Sequence, residues 1–203
     1  MSSQTKTTCL TPEEYLAIER RAETRSEYFN GEMFLMTGAS RKHNIVAGNI
    51  FRKLGNQLEG KPCEGYISDM RVRIPATGLY TYPDVVIVCG EPKFEDAELD
   101  TLLNPTLIVE VLSKSTASYD RGDKFKHYRS IPSLAEYLLV AQDEYKFEHY
   151  VKQADDRWIL TDIRGLEAQV ELTSISCVLP LREAYDKVDL SATEAQSHRE
   201  EIE

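Results

Sequence analysis

The sequence predicts an α/β fold, in its α+β form, organised on a mixed central sheet, and three observations carry that prediction. Residues 84–89 and 107–112 are short, nearly continuous apolar runs rich in Val and Ile, the composition of central strands covered on both faces. Stretches of helical character precede and follow them: Val46, Ile50, Leu54 and Leu58 recur at four-residue spacing, and residues 119–129 form the second. Turn signals at Asn30-Gly31 and Asp155-Asp156 place a hairpin towards each end. The expected core order is helix, strand, strand, strand, helix, strand, with the terminal hairpins added to it.

Taken in order, Thr11-Pro12-Glu13-Glu14 reads as a helix start: Thr11 caps, Pro12 takes the first helical position and Glu14 reaches back to the cap. That helix is expected to run to about residue 21. Asn30-Gly31 then joins Tyr28-Phe29 to Met33-Phe34-Leu35 as a hairpin. Ser40 caps the helix of the four-residue stripe. Met70, Val72 and Ile74 alternate with Asp69, Arg71 and Arg73, the pattern of a strand with one polar face, read here as the first strand of the core. After the two central strands, the 119–129 helix ends before Pro132, residues 136–141 read as another buried strand, and 145–151 pairs with 158–163. Short strands follow as far as residue 178. The domain organisation expected is a flexible N-terminus (1–9), one domain (10–190) and a polar tail (191–203).

No apolar run approaches the roughly 18 residues of a membrane helix, and the polar start lacks a secretory signal, so a cytoplasmic protein is expected. Cys9, Cys63, Cys89 and Cys177 are scattered singly, which predicts reduced structural thiols rather than a zinc site or a disulfide scaffold. A net charge of −10 argues against a protein that coats nucleic acid non-specifically. The charge is uneven, however. Residues 41–61 carry Arg41, Lys42, Arg52, Lys53 and Lys61 against Glu59 alone, and residues 114–129 hold Lys114, Arg121, Lys124, Lys126 and Arg129 against Asp120 and Asp123.

Chemistry is signalled where charge interrupts apolar strands, because an unpaired buried carboxylate is costly. Asp84 follows Pro83 at the head of one central strand, and Glu110 interrupts the other near its end. If the strands are neighbours, the two carboxylates can hold a hard cation, Mg2+ or Mn2+, with the Val111 carbonyl and waters completing the shell. Such a site would hydrolyse a phosphodiester, helped by a lysine, and Lys124 is the best placed in chain order because position 112 is Leu. Competing readings are structural. Asp84 could be a strand-entry residue, Glu110 could pair with Arg71 or Arg73, and Lys124 could be a solvated helix lysine beside Asp120. Accessory candidates are His43, Glu27, Glu32 and Tyr128; local capping, exposed turn charges and packing compete for them. His127, His149 and His198 lack companions at ligand spacing and read as structural or exposed.

Pro83-Asp84, the run Val109-Glu110-Val111-Leu112-Ser113, and Lys124 followed by Tyr128 resemble the Uma family of restriction endonucleases in the PD-(D/E)XK superfamily. Glu27-Tyr28-Phe29-Asn30-Gly31-Glu32, His43 and Glu136-Tyr137-Leu138 extend the likeness over roughly residues 10–181. The resemblance implies a restriction-endonuclease-like fold, a metal held by Asp84 and Glu110, Lys124 in the place of the motif lysine, and a homodimer. The expectation is therefore a Mg2+-dependent endonuclease acting on DNA. The alternatives are an inactive dimeric binding module, suggested by the acidic charge and Leu112, and a metal-dependent hydrolase of another phosphate ester.

Overall fold

The structure, a computed structural model, describes residues 9–190; the expected flexibility of 1–8 and the tail 191–203, with His198, lie outside the described residues. Helix α1 (Pro12–Glu19) begins with the expected capping box: the Glu14 carboxylate accepts the Thr11 N–H at 2.8 Å and Thr11 Oγ1 accepts the Glu14 N–H at 3.2 Å. Strands β1 (Ser26–Phe29) and β2 (Glu32–Leu35) follow. Their turn places Asn30 and Gly31 at φ 51° and 89°, the two left-handed residues that a tight hairpin needs. Helix α2 (Arg41–Leu58) is capped by Ser40, whose hydroxyl accepts the His43 N–H at 3.1 Å.

Strands β3 (Cys63–Ile67), β4 (Arg71–Ile74), β5 (Leu79–Thr81), β6 (Val85–Cys89), β7 (Thr101–Leu102) and β8 (Leu107–Leu112) come next. The second helical region has three parts: α3 (Ala117–Tyr119), a π-helical turn over Asp120–Lys124, and α4 (Phe125–Tyr128). Then come β9 (Glu136–Ala141), the hairpin β10 (Lys146–Lys152) and β11 (Trp158–Arg164), the small pair β12 (Gln169–Leu172) and β13 (Cys177–Pro180), and α5 (Leu181–Ala184).

Two sheets position the site. One has six strands in the order β11-β10-β9-β8-β6-β3, and the other five in the order β2-β1-β5-β4-β7. β6, β8 and β9 are buried on both faces, which is why they read as apolar runs. Their alternate residues serve two cores. Val85, Ile87, Leu107 and Val109 pack with Val46, Ile50 and Leu54 of α2. Val86, Val88, Ile108 and Leu112 pack with Val72, Ile74 and Leu79 of the five-stranded sheet and with Tyr128.

Three expectations need correction. The 69–74 strand forms as β4, but it belongs to the five-stranded sheet, between β5 and β7; next to β6 stands β3 instead. Its polar face is only partly solvated: Asp69 is exposed and Arg73 half-buried, but Arg71 is buried, donates to Asp100 at 2.9 Å and to Thr101 Oγ1 at 3.1 Å, and lies over the rings of Tyr15 and Tyr82. Finally, Cys63 and Cys89 are joined in a disulfide rather than reduced. They stand directly opposite each other in the β3–β6 register with Cα atoms 4.0 Å apart, a proximity set by pairing between distant segments. Cys9 and Cys177 are free. Among the described residues, no helix is long and apolar enough to cross a membrane.

Candidate active site between the two sheets

Register brings the acidic pair together. β6 and β8 are antiparallel with Val85 opposite Val109, so one step further Asp84 stands across from Glu110. Both fall on the face that looks towards the five-stranded sheet. Asp84 lies just outside the strand, and its two carboxylate oxygens are each engaged. Oδ2 accepts the Val111 N–H at 2.8 Å, and Oδ1 is 2.8 Å from His43 Nε2 at the first turn of α2. The helix cap at Ser40 thus also sets the position of His43.

Glu110 is buried, and Oε1 takes both of its contacts: Lys124 Nζ at 2.9 Å and the Tyr128 hydroxyl, which donates at 2.8 Å. Lys124, also buried, lies 3.2 Å from Glu27 Oε1 on β1 and 3.7 Å from Asp120 Oδ1. Thr81 of β5 donates its hydroxyl to the same Glu27 oxygen. One ammonium therefore faces three carboxylates, one from each sheet and one from its own helical segment. The π turn over Asp120–Lys124 carries both Asp120 and Lys124 to the buried side. The rings of Tyr119 and Tyr128 stand 6.0 Å from Nζ and supply further cation-favouring surface.

These neighbours set the protonation of the cluster. Burial pushes the Glu110 carboxyl up to about 8; Lys124 opposes this, while Asp84 and Asp120 add to it. Burial works against the Lys124 ammonium, but Glu110, Glu27 and Asp120 outweigh it and hold its pKa well above that of an ordinary lysine. Burial also raises Asp120.

The structure thus assembles Asp84, Glu110, Lys124, His43, Glu27 and Tyr128 from elements far apart in sequence. Glu32 stays outside: it is exposed on β2, opposite Phe29. Neither arginine suggested as a partner takes Glu110, since Arg71 pairs with Asp100 and Arg73 with Glu95. Lys124 is not solvated, and its spacing from Asp120 and Tyr128 marks an inward face. Asp120 is buried with them; its four-residue spacing from Lys124, itself four residues before Tyr128, is the signal the sequence carries. His149 is structural, bonded to Glu136 at 2.7 Å. Among the described residues, no group of three or more His, Cys, Asp or Glu side chains is arranged to hold a metal ion.

Comparison with known proteins bears on the family and the fold. A family model described as "Uma2: Putative restriction endonuclease" matches residues 12–182. Two Synechocystis proteins are similar in sequence: uncharacterized protein sll1609 is 42% identical over 167 residues, which cover 82% of this chain and 94% of that protein. Uncharacterized protein slr1290 is 37% identical over 166 residues, covering 82% and 86%. A crystal structure from Anabaena variabilis, described as "a putative nuclease belonging to DUF820", superposes with a TM-score of 0.70 at 16% identity, covering 87% of this chain and 97% of that one. At that identity the superposition speaks for the shared fold. With the family model spanning nearly all of the described residues, the chain belongs to the Uma2 family.

Proposed function

We propose that this chain is a Mg2+- or Mn2+-dependent endonuclease that hydrolyses phosphodiester bonds in DNA, with Asp84, Glu110 and the Val111 carbonyl as metal donors and Lys124 as the catalytic lysine. The observation that carries this reading is the charge balance at the head of β6 and the end of β8. Lys124 alone is set against Glu27, Glu110 and Asp120, and Asp84 stands across the register from Glu110. With one ammonium set against three largely buried carboxylates, the cluster balances its charge either by keeping a proton on Glu110, whose carboxyl is raised to about 8, or by exchanging that proton for a second cation.

The donor set suits a hard ion that keeps several waters and takes only one or two carboxylates from the protein. The Tyr128 hydroxyl and the closest approach of Lys124 both fall on Oε1 of Glu110, and Oε2 is the oxygen this reading offers to the ion. In an extended strand the N–H and C=O of one residue point to the same side, so the Val111 carbonyl shares the Asp84 edge with the N–H that Asp84 accepts. When bound, such an ion polarises the phosphoryl oxygen and lowers the pKa of an attacking water.

The remaining roles belong to the chain. His43 and the Val111 N–H hold the Asp84 carboxylate in one orientation. Tyr128 and Glu27 fix Glu110 and Lys124 respectively, so the ammonium is presented where charge develops on the phosphoryl group. Glu27 and Tyr128 are positioning residues in this scheme. A homodimer, which would bring two such sites to two strands, belongs to the same proposal.

The acidic net charge of −10 supports a second reading, a dimeric binding module without catalysis. Ion pairing adds to it, since Arg121 pairs with Glu148, Lys126 with Asp123 and Lys53 with Glu183. The test is incubation of supercoiled plasmid with purified protein and Mg2+ or Mn2+. Nicking that disappears in Asp84→Ala supports the nuclease; intact plasmid under both metals favours the binding module.

A further inference from the structure

β11 closes one side of the six-stranded sheet and, among the described residues, pairs with β10 alone. The outer strands of the two large sheets differ in length: β7 has two residues, β2 four and β3 five, whereas β11 has seven. A short edge is one protection against further pairing, and β3 is also tied to β6 by the disulfide. β11 has neither protection. Residues 158–164 contain no proline or lysine, and their register with β10 runs without a bulge. Five of the seven residues are exposed, with Ile159 at 53% and Leu160 at 48%. The two charges on the strand are matched within the hairpin, since Asp162 meets Arg164 at 3.1 Å and Lys146 at 3.3 Å, and Arg164 meets Glu144 at 2.8 Å.

The hydrogen bonds that β11 offers follow from its pairing with β10. The Gly165 N–H donates to the Tyr145 carbonyl and the Gln153 N–H to the Arg157 carbonyl, in line with the β10–β11 register. Antiparallel bonding alternates, so Ile159, Thr161 and Ile163 bond to β10, while the N–H and C=O groups of Trp158, Leu160, Asp162 and Arg164 point out from the sheet. β11 is its own complement for that set. Laid antiparallel on a second copy with Thr161 opposite Thr161, every outward group meets an outward group, Ile159 faces Ile163, and the Trp158 indole faces the Arg164 guanidinium. The neighbouring registers are poorer. Centring the pair on Asp162 sets two carboxylates face to face, and centring it on Leu160 leaves Ile163 and Arg164 of each copy beyond the ladder.

We propose that two copies of the chain pair along β11 about a two-fold axis at Thr161, joining their six-stranded sheets into one continuous sheet. β8 and β6, which position the acidic pair, stand three and four strands in from that edge, so the pairing touches neither. This supplies a surface for the homodimer proposed above, yet it stands on the strand and not on the nuclease reading.

The test is sedimentation equilibrium of the metal-free full chain without DNA, which should show a dimer. Leu160→Pro removes an N–H that points outward and leaves the bonds to β10 in place. The two-fold applies that loss twice, so the dimer should weaken about 100-fold with the far-UV circular dichroism unchanged. The register has its own measurement. In a Cys9→Ser background, which removes the exposed thiol, Thr161→Cys should give a disulfide-linked dimer on oxidation with diamide, whereas Ile159→Cys, set opposite Ile163, should not. That arm decides alone if Leu160→Pro fails to fold. A wild type that stays monomeric, a dimer that survives Leu160→Pro, or equal cross-linking at positions 159 and 161 overturns the interface, and each leaves the nuclease reading where it stood. Intact plasmid from a protein that cross-links through position 161 overturns the nuclease reading and upholds the interface.

Discussion

Glu110 and Glu136 are both buried glutamates, on the adjacent parallel strands β8 and β9, yet their surroundings treat them in opposite ways. Glu136 accepts the Ser174 N–H at 2.6 Å and the Thr173 hydroxyl at 3.2 Å, and meets His149 Nε2 at 2.7 Å. Burial pushes its carboxyl up, but His149 and the Ser174 N–H prevail and leave it below the ordinary range. Glu110 shares its one cation with Glu27 and Asp120, and its carboxyl rises to about 8. Burial alone therefore does not make a functional carboxylate. The supply of donors does: Glu136 is satisfied and holds β9 to the turn before β13, whereas Glu110 is left short of positive charge.

That contrast can be broken by exchanging the two residues' fates. Glu110→Gln should lower plasmid nicking by about 100-fold or more while the fold persists, because the substituted amide keeps an oxygen for Lys124 and Tyr128. Glu136→Gln should do the reverse, costing roughly 1.5–3 kcal/mol in urea unfolding with activity per folded molecule retained. Equal losses of activity in both variants would erase the distinction.

A sharper version removes the shared cation. Lys124→Met leaves Glu27, Glu110 and Asp120 facing one another without compensation, and should destabilise the metal-free protein by about 3–5 kcal/mol. Added Mn2+ should recover part of that loss in a thermal melt. The corresponding His149→Ala change should show no such recovery.

How much of this was legible from the chain varies with range. The capping box at Thr11, the Asn30-Gly31 hairpin and the strands buried on both faces depend on neighbours in sequence, and each appears where periodicity placed it. Strand pairing is non-local. Alternation in 69–74 gave a strand, but nothing in it specified which sheet would receive it. β3 left no clear pattern because Glu64 and Gly65 interrupt it; a Cβ at Gly65 would come within 3.1 Å of Ile87 and 3.3 Å of Phe51, so those side chains would have to shift to admit one. The disulfide depended on that same unseen pairing. In the site, Asp84 and Glu110 stood out as charges in apolar runs. Asp120 did not, because its burial comes from a π turn that leaves no strong mark in the sequence.

A further expected effect is one of pH. The Glu110 carboxyl is raised from 4.5 to about 8 on folding, so between those values the folded state binds a proton that the unfolded state has released. Its contribution to stability is therefore fully present below 4.5 and declines as pH rises towards 8. In Glu110→Gln that decline should be absent, so the melting temperature of the metal-free variant should fall less than that of wild type as pH rises towards 8. Glu136, lowered rather than raised, contributes in the opposite sense, its stabilisation fading as acid protonates it.

The central claim is that the surplus of negative charge around Lys124 exists to take up a divalent cation, and calorimetric titration with Mn2+ tests it most directly. At neutral pH the wild type should bind one ion per chain and release a proton from Glu110 on binding, whereas Asp84→Asn and Glu110→Gln should each abolish binding. No binding to the wild type, or binding that survives both substitutions, would contradict the account.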